Sequence, residues 1–141
     1  MRIFKEGITL EFLNKWSENT LAQHLGIVFT GIGDDYLEAR MPVDNRTRQP
    51  LGLLHGGASV ALAETLGSVA ATLCVDSTKF CVGLDINANH VKGIREGFVN
   101  GITKPIHIGK QTHVWEIRLT NDAGELICIS RITMAVLEKK K

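Results

Sequence analysis

The residues with the most chemical content form one stretch, Gln49-Pro50-Leu51-Gly52-Leu53-Leu54-His55-Gly56-Gly57, followed by a small-residue helix carrying a single carboxylate, Glu64. Glycines let the backbone approach a ligand closely, and the first N–H groups of a helix lack internal acceptors. With the helix dipole behind them, those groups favour an anion, or an oxygen that becomes negative during a reaction. A nearby carboxylate supplies a base or nucleophile aimed at the same atom. A polarised carbonyl oxygen facing an attacking group is the requirement of acyl transfer.

Each of these residues also has a plainer reading. Glu64 could be a helix residue paired with a base, yet its neighbours Val60, Ala61, Leu66, Gly67 and Ser68 are apolar, small or neutral. A carboxylate in an apolar helix is desolvated, which strengthens it as a base and favours the functional reading. Ser68 lies one helical turn further on the same face, where serine serves packing as readily as chemistry. His55 alone reads as a helix cap and Gln49 alone as a loop hydrogen-bonder. His90, His107 and His113 read as strand histidines. No His/Cys/Asp cluster has metal-ligand spacing, HExxH is absent, and no GxSxG elbow marks a Ser/His/Asp triad.

The elements that must position this chemistry follow from periodicity. Thr9 to His24 has helical spacing, with a break where Thr20-x-x-Gln23 could form a capping box. Gly26 to Thr30 reads as extended and Gly31 to Asp35 as a turn. Tyr36 to Val43 alternates, with Leu37, Ala39, Met41 and Val43 on one face, which predicts a half-buried strand. A helix over about Ala58 to Cys74, apolar all round, belongs in an interior. Phe80 to Val91, Gly97 to Ile106, Thr112 to Thr120 and Leu126 to Leu137 read as strands, with Asn121 to Gly124 a hairpin turn. One long buried helix with a run of antiparallel strands predicts an α+β domain in which a sheet wraps a helix.

Composition narrows the function classes. The 141 residues suit a single domain, 1–141, and 44% apolar with 22% charged residues is globular composition. A net charge of +1 gives no footprint for nucleic acid. Lys139 to Lys141 read as a solvated terminus. Cys74, Cys81 and Cys128 follow no C-x-x-C spacing, as free thiols in a reducing cytoplasm would. The polar start Met1-Arg2-Ile3-Phe4-Lys5-Glu6 does not begin a signal peptide. The apolar run from Gly57 to Val75 is short and interrupted by Glu64, so a buried helix is expected there rather than a membrane span.

The order of elements, with His55-Gly56-Gly57 opening the central helix, resembles the hotdog-fold thioesterases. The match is nearest to the acyl-CoA thioesterases related to the 4-hydroxybenzoyl-CoA and phenylacetate-pathway enzymes. Within them it resembles the subgroup that hydrolyses 1,4-dihydroxy-2-naphthoyl-CoA in menaquinone synthesis or clears misloaded aryl carrier protein. The segments that carry the resemblance are Met41-Pro42-Val43-Asp44, Gln49-Pro50, Leu53 to Gly57, Ala63-Glu64, Gly67-Ser68 and Gly83 to His90. It implies Glu64 as nucleophile or general base and the Gly56 N–H as the group polarising the thioester carbonyl. His55 and Gln49 would orient the thioester, and Ser68 would help place the water or acyl group. It further implies a CoA arm held by Gly83, by His90, Val91, Lys92 and Gly93, and by His107, Ile108, Gly109, Lys110, Gln111 and Thr112. Lys92 and Lys110 stand where related sequences often carry arginine. The resemblance implies no cofactor and no metal, an acyl-CoA or acyl carrier protein thioester as substrate, and a homodimer with shared sites that assembles to a homotetramer. A hotdog hydratase or dehydratase and a non-catalytic acyl-CoA-binding domain remain as alternatives.

One expectation is geometric. Gly56 and Glu64 are eight residues apart, about 12 Å along a helix. A glutamate side chain does not close that gap, so two groups acting on one carbonyl must come from two chains. Antiparallel central helices about a two-fold axis would then create two composite sites.

Overall fold

The computed structural model describes residues 1–140; Lys141 lies outside the described residues. Two short helices, α1 (Leu10–Trp16) and α2 (Leu21–His24), precede strands β1 (Val28–Ile32) and β2 (Leu37–Pro42). A long helix, α3 (Gly56–Cys74), then leads into β3 (Lys79–His90), β4 (Phe98–Ile108), β5 (Thr112–Thr120) and β6 (Leu126–Glu138). All six strands pair antiparallel in one sheet of order β1-β2-β4-β5-β6-β3.

The strands form where apolar residues alternate. On β5, His113, Trp115, Ile117 and Leu119 are buried while Glu116 and Arg118 face outward, and β2 repeats the pattern with Leu37, Ala39 and Met41. Helix α3 lies across the inner face, burying Leu62, Leu66 and Leu73 beside Ala63, Gly67 and Ala70. Gly67 costs the helix about 1 kcal/mol relative to alanine. Each buried leucine contributes about 1.5–3 kcal/mol, so packing on the sheet decides the helix. Leu13 of α1 and Phe4, which stacks on Trp115 at 6.3 Å, close the end of the core.

The sequence reading needs five adjustments. Helix α3 starts two residues early, at Gly56, because His55 caps it. Its outer stripe, Gly57, Ala61, Glu64, Thr65, Ser68 and Thr72, is exposed or half-buried, because the single sheet covers only one side. Glu64 is therefore exposed, and the desolvation expected for it is not met within one chain. Gly31 and Ile32 belong to β1, and the turn begins at Gly33, whose N–H donates to the Tyr36 carbonyl at 3.0 Å. The capping box does not form. Asn19 takes a positive φ of 62° and its N–H, not that of Thr20, donates to Gln23 Oε1 at 2.8 Å.

Candidate active site

The Gln49–Gly57 segment folds as a closed turn feeding α3. The Gln49 N–H donates to the Leu53 carbonyl at 2.8 Å and the Gly52 N–H to the Gln49 carbonyl at 2.9 Å, with Gly52 at φ +83°. The Leu51 N–H donates to Gln49 Oε1. The His55 N–H donates to the Thr47 carbonyl at 2.7 Å and the Leu54 N–H to the Ile94 carbonyl at 2.8 Å, which ties this turn to the loop after β3.

At the start of α3 the four N-terminal amides have unequal fates. The Gly57 N–H donates to His55 Nδ1 at 2.7 Å. Those of Ala58 and Ser59 donate to the His55 carbonyl at 3.0 and 3.2 Å. The Gly56 N–H has no acceptor among the described residues. Because His55 accepts at Nδ1, its ring proton sits on Nε2. His55 thus commits one amide with its ring and two with its carbonyl, leaving one donor at the positive end of a 19-residue helix.

That donor borders a cleft of about 310 Å³ lined by Gln49, Leu53, Leu54, Gly56, Ser59, Ile94, Ile127 and the run His90 to Gly93. Any Cβ at position 56 would stand 3.0 Å from His90 Nε2, so the imidazole rests against the glycine. The cleft brings together six residues expected from the sequence: Gln49, Gly56, His90, Val91, Lys92 and Gly93. Ser59, Leu53, Leu54, Ile94 and Ile127 escaped that reading. Ser59 carries a helical signal, one turn beyond Gly56, whereas Ile94 and Ile127 are adjacent only through the fold. Lys92, expected to help hold the CoA arm, is paired at the surface with Glu125.

Glu64 and Ser68 lie elsewhere. A Cβ at Gly83 would sit 2.9 Å from Glu64 Oε2, so the carboxylate leans over this glycine of β3. Ser68 Oγ donates to Met134 Sδ at 3.7 Å. Gly83 pairs with Met134, Met134 with His113, and His113 with Ile108, forming one row across the sheet. The turn His107 to Thr112 is at this end. His113 is buried, accepts from Trp115 Nε1 at 3.3 Å, and is held below the usual histidine range by burial and then by His107. It is the satisfied strand histidine anticipated above.

His90 pairs instead with Cys128, at the other end of β3. Gly83 pairs with Met134 and His90 with Cys128, six ladder positions apart, about 20 Å of strand. The chain therefore carries two separate groups of candidate residues, each offering half of what acyl transfer needs. The donor half holds Gln49, His55, Gly56 and His90–Gly93; the carboxylate half holds Glu64, Ser68, Gly83 and the turn 107–112. Chemically, one half can polarise a carbonyl and the other can attack it.

The model of the thioesterase superfamily matches residues 51–128, more than half of the chain. The chain belongs to the thioesterase superfamily. This thioesterase is 55% identical over 135 residues to the 1,4-dihydroxy-2-naphthoyl-CoA hydrolase of Escherichia coli (strain K12), covering 96% of this chain and 99% of that one. It is 50% identical to the proofreading thioesterase EntH of Cronobacter sakazakii, over 96% of this chain and 98% of the relative. Among solved structures, a mutant of the thioesterase PA1618 from Pseudomonas aeruginosa is similar at a TM-score of 0.95 and 51% identity, covering 97% of this chain and 99% of that chain. The thioesterase HI1161 from Haemophilus influenzae is similar at 0.94 and 48% identity, covering 96% and 95%. The fold is the hotdog fold, with the antiparallel sheet wrapped on α3, and the protein is a thioester hydrolase.

Proposed function

We propose that this thioesterase hydrolyses acyl-CoA thioesters bearing an aromatic acyl group, of the class of 1,4-dihydroxy-2-naphthoyl-CoA or hydroxybenzoyl-CoA, to the free acid and CoA. The observation that carries the reading is the single uncommitted N–H of Gly56 at the head of α3. An amide held there stabilises the oxygen of a thioester carbonyl as it becomes an oxyanion. Glu64 either attacks the carbonyl carbon, forming a mixed anhydride that water then cleaves, or removes a proton from the water that attacks. In both cases water supplies the oxygen of the acid and the proton with which the CoA sulfur leaves as the thiol. Ser68, one turn beyond Glu64, helps place the water or acyl group. Beside these two residues an apolar groove of about 390 Å³, walled in part by Trp16, Leu21, Thr65 and Val69, offers room for fused rings. The relation to the naphthoyl-CoA hydrolase supports that acyl class and a place in menaquinone synthesis. The relation to the proofreading thioesterase supports carrier-protein thioesters as a second source of the same acyl-pantetheine arm. The reaction belongs in the cytoplasm, which suits the unpaired thiols of Cys74, Cys81 and Cys128.

The reading requires two chains. β3 is a twelve-residue edge strand with a free side, and Phe80, Val82 and Leu84 along it are exposed. A long apolar edge invites pairing with another strand. For Glu64, above Gly83, to meet the partner's Gly56, which rests against the partner's His90, Gly83 must lie opposite the partner's His90. With the bulge between Gly83 and Asp85 taking one residue out of the ladder, that register puts the two-fold axis midway between these positions, at Asn87. Both half-sites then close at each end of a homodimer, and two dimers assemble to the tetramer. The turn 107–112, including Lys110, joins His90–Gly93 of the partner around the CoA arm.

Thiol release from a panel of thioesters tests the substrate class. Aromatic acyl-CoAs are expected to exceed straight-chain fatty acyl-CoAs by about tenfold or more in kcat/KM, the scale at which pocket shape discriminates. Equal rates would reject the aromatic assignment, and no release from any thioester would reject hydrolysis itself. Position 83 gives an independent check. Gly83→Ala should leave the melting temperature unchanged or raised, since alanine suits a strand interior better than glycine. Its methyl group would displace Glu64 Oε2, the flexible end of a side chain, and kcat should fall by roughly 10- to 100-fold, as small misplacements of reacting groups do. Full activity in a stable Gly83→Ala protein would remove Glu64 from the reaction.

A further inference from the structure

Three arginines surround the turn that leads into α3, and they are differently employed. Arg46 forms an ion pair with Asp44 at 2.7 Å, and its guanidinium holds the Asp44 carboxyl below the usual range. Arg48 and Arg95 have no carboxylate partner among the described residues. Their guanidinium groups are spent on backbone. Arg48 Nε and Nη2 donate to the Arg95 carbonyl at 3.1 and 2.9 Å. Arg95 Nη1 donates to the Leu51 carbonyl at 3.1 Å.

Leu51 is the residue whose N–H holds Gln49 Oε1. The contacts therefore run in sequence: Arg48 fixes the backbone of Arg95, Arg95 fixes the Leu51 carbonyl, and the Leu51 N–H fixes the Gln49 amide. With Oε1 occupied, the side-chain N–H groups of Gln49 are what it offers to the cleft it shares with Gly56 and His90. A thioester carbonyl there meets two donors, the Gly56 N–H and the Gln49 amide. Two chain segments 44 residues apart are strapped by this bond, and the planar guanidinium makes it directional in a way that a lysine would not.

We propose that Arg95, anchored by Arg48, is a positioning residue that keeps the Gln49 amide turned with its N–H groups toward the reacting carbonyl. The inference rests on the site reading given above, and in particular on Gln49 contacting substrate. On this reading Arg95 acts through the Leu51 carbonyl and Gln49 rather than by touching the acyl group or the CoA arm.

The test is a double-mutant cycle of Arg95→Ala and Gln49→Ala, read as kcat and KM on benzoyl-CoA and on S-benzoylpantetheine, which has no phosphate. Arg95→Ala is expected to lower kcat about tenfold on both substrates, within the range for misplaced contacts, with KM changed by less than about threefold. In the Gln49→Ala background the same substitution should cost nothing further. An equal loss in that background would overturn the inference while leaving Gln49 in its role. A rise in KM for benzoyl-CoA alone would make Arg95 a phosphate contact and overturn it as well. Unaltered kcat in Gln49→Ala would instead reject the role of Gln49, and the inference with it. Should Arg95→Ala lose its cooperative melt, Arg95→Lys keeps the stem and charge without the fork, and the same cycle is read on it.

Discussion

Glu64→Gln is expected to fold as the native chain does and to lose hydrolysis by about 10²–10⁴-fold in kcat, the range for a positioned base. The exposure of Glu64 in the single chain is what makes the folding half of this expectation firm. No buried partner is orphaned, the substituted amide keeps the shape of the carboxylate, and Ser68 retains its contact with Met134. What disappears is the carboxylate proposed to attack the thioester or take the proton of water. Thiol release at saturating acyl-CoA, with circular dichroism melts alongside, checks both halves. A Glu64→Gln protein keeping most of its kcat would show that the carboxylate over Gly83 is not part of the reaction.

The second large effect is recovery of activity from two inactive proteins. Gly56→Pro removes the uncommitted N–H. The position tolerates the ring: proline suits the first helical residue, and His55, at φ −67° and ψ 131°, already has the extended backbone that precedes a proline. The new Cβ meets only the tip of His90, which borders an open cleft. Glu64→Ala removes the carboxylate from the other half-site. Refolded together, the two variants form mixed dimers as about half of the population. Each mixed dimer has one site bearing both defects and one intact, so about a quarter of native activity should return. If Gly56 and Glu64 of the same chain served one site, both sites of the mixed dimer would be broken. Absence of recovery from two well-folded dimeric variants would reject the composite site.

Much of this architecture was legible because a few patterns are unambiguous. Strand β5 runs over the residues read from sequence, since Trp115, Ile117 and Leu119 alternate with charged neighbours. Helix α3 begins two residues ahead of the start that the sequence suggests, because paired glycines have poor helix propensity. What overrides propensity is the folded-back His55 ring, a local cap that accepts from the Gly57 N–H. The burial of α3 was overestimated for a related reason: hydropathy records which residues tolerate an interior, not how many sheets arrive to cover them. The contact of Glu64 with Gly83 joins residues on different elements, and no local pattern encodes it. Arg48 and Arg95 were silent too, since an arginine whose task is to bond a distant carbonyl looks in sequence like any solvated charge.

The uneven commitment of the amides heading α3 also governs what happens after the bond is cut. The acid formed by hydrolysis has two oxygens sharing a full negative charge, and a lone N–H can serve only one of them. In the composite site proposed above, the other would face the carboxylate of Glu64. Two like charges about 4 Å apart at an effective dielectric of about 20 repel by about 4 kcal/mol, whereas a hydrogen bond to a charged group returns about 1.5–3 kcal/mol. A nest of several free amides would retain the carboxylate and invite inhibition by it. With three of the four already spoken for by His55, the proposed site would hold a neutral thioester better than its anionic acid, which favours release of the product.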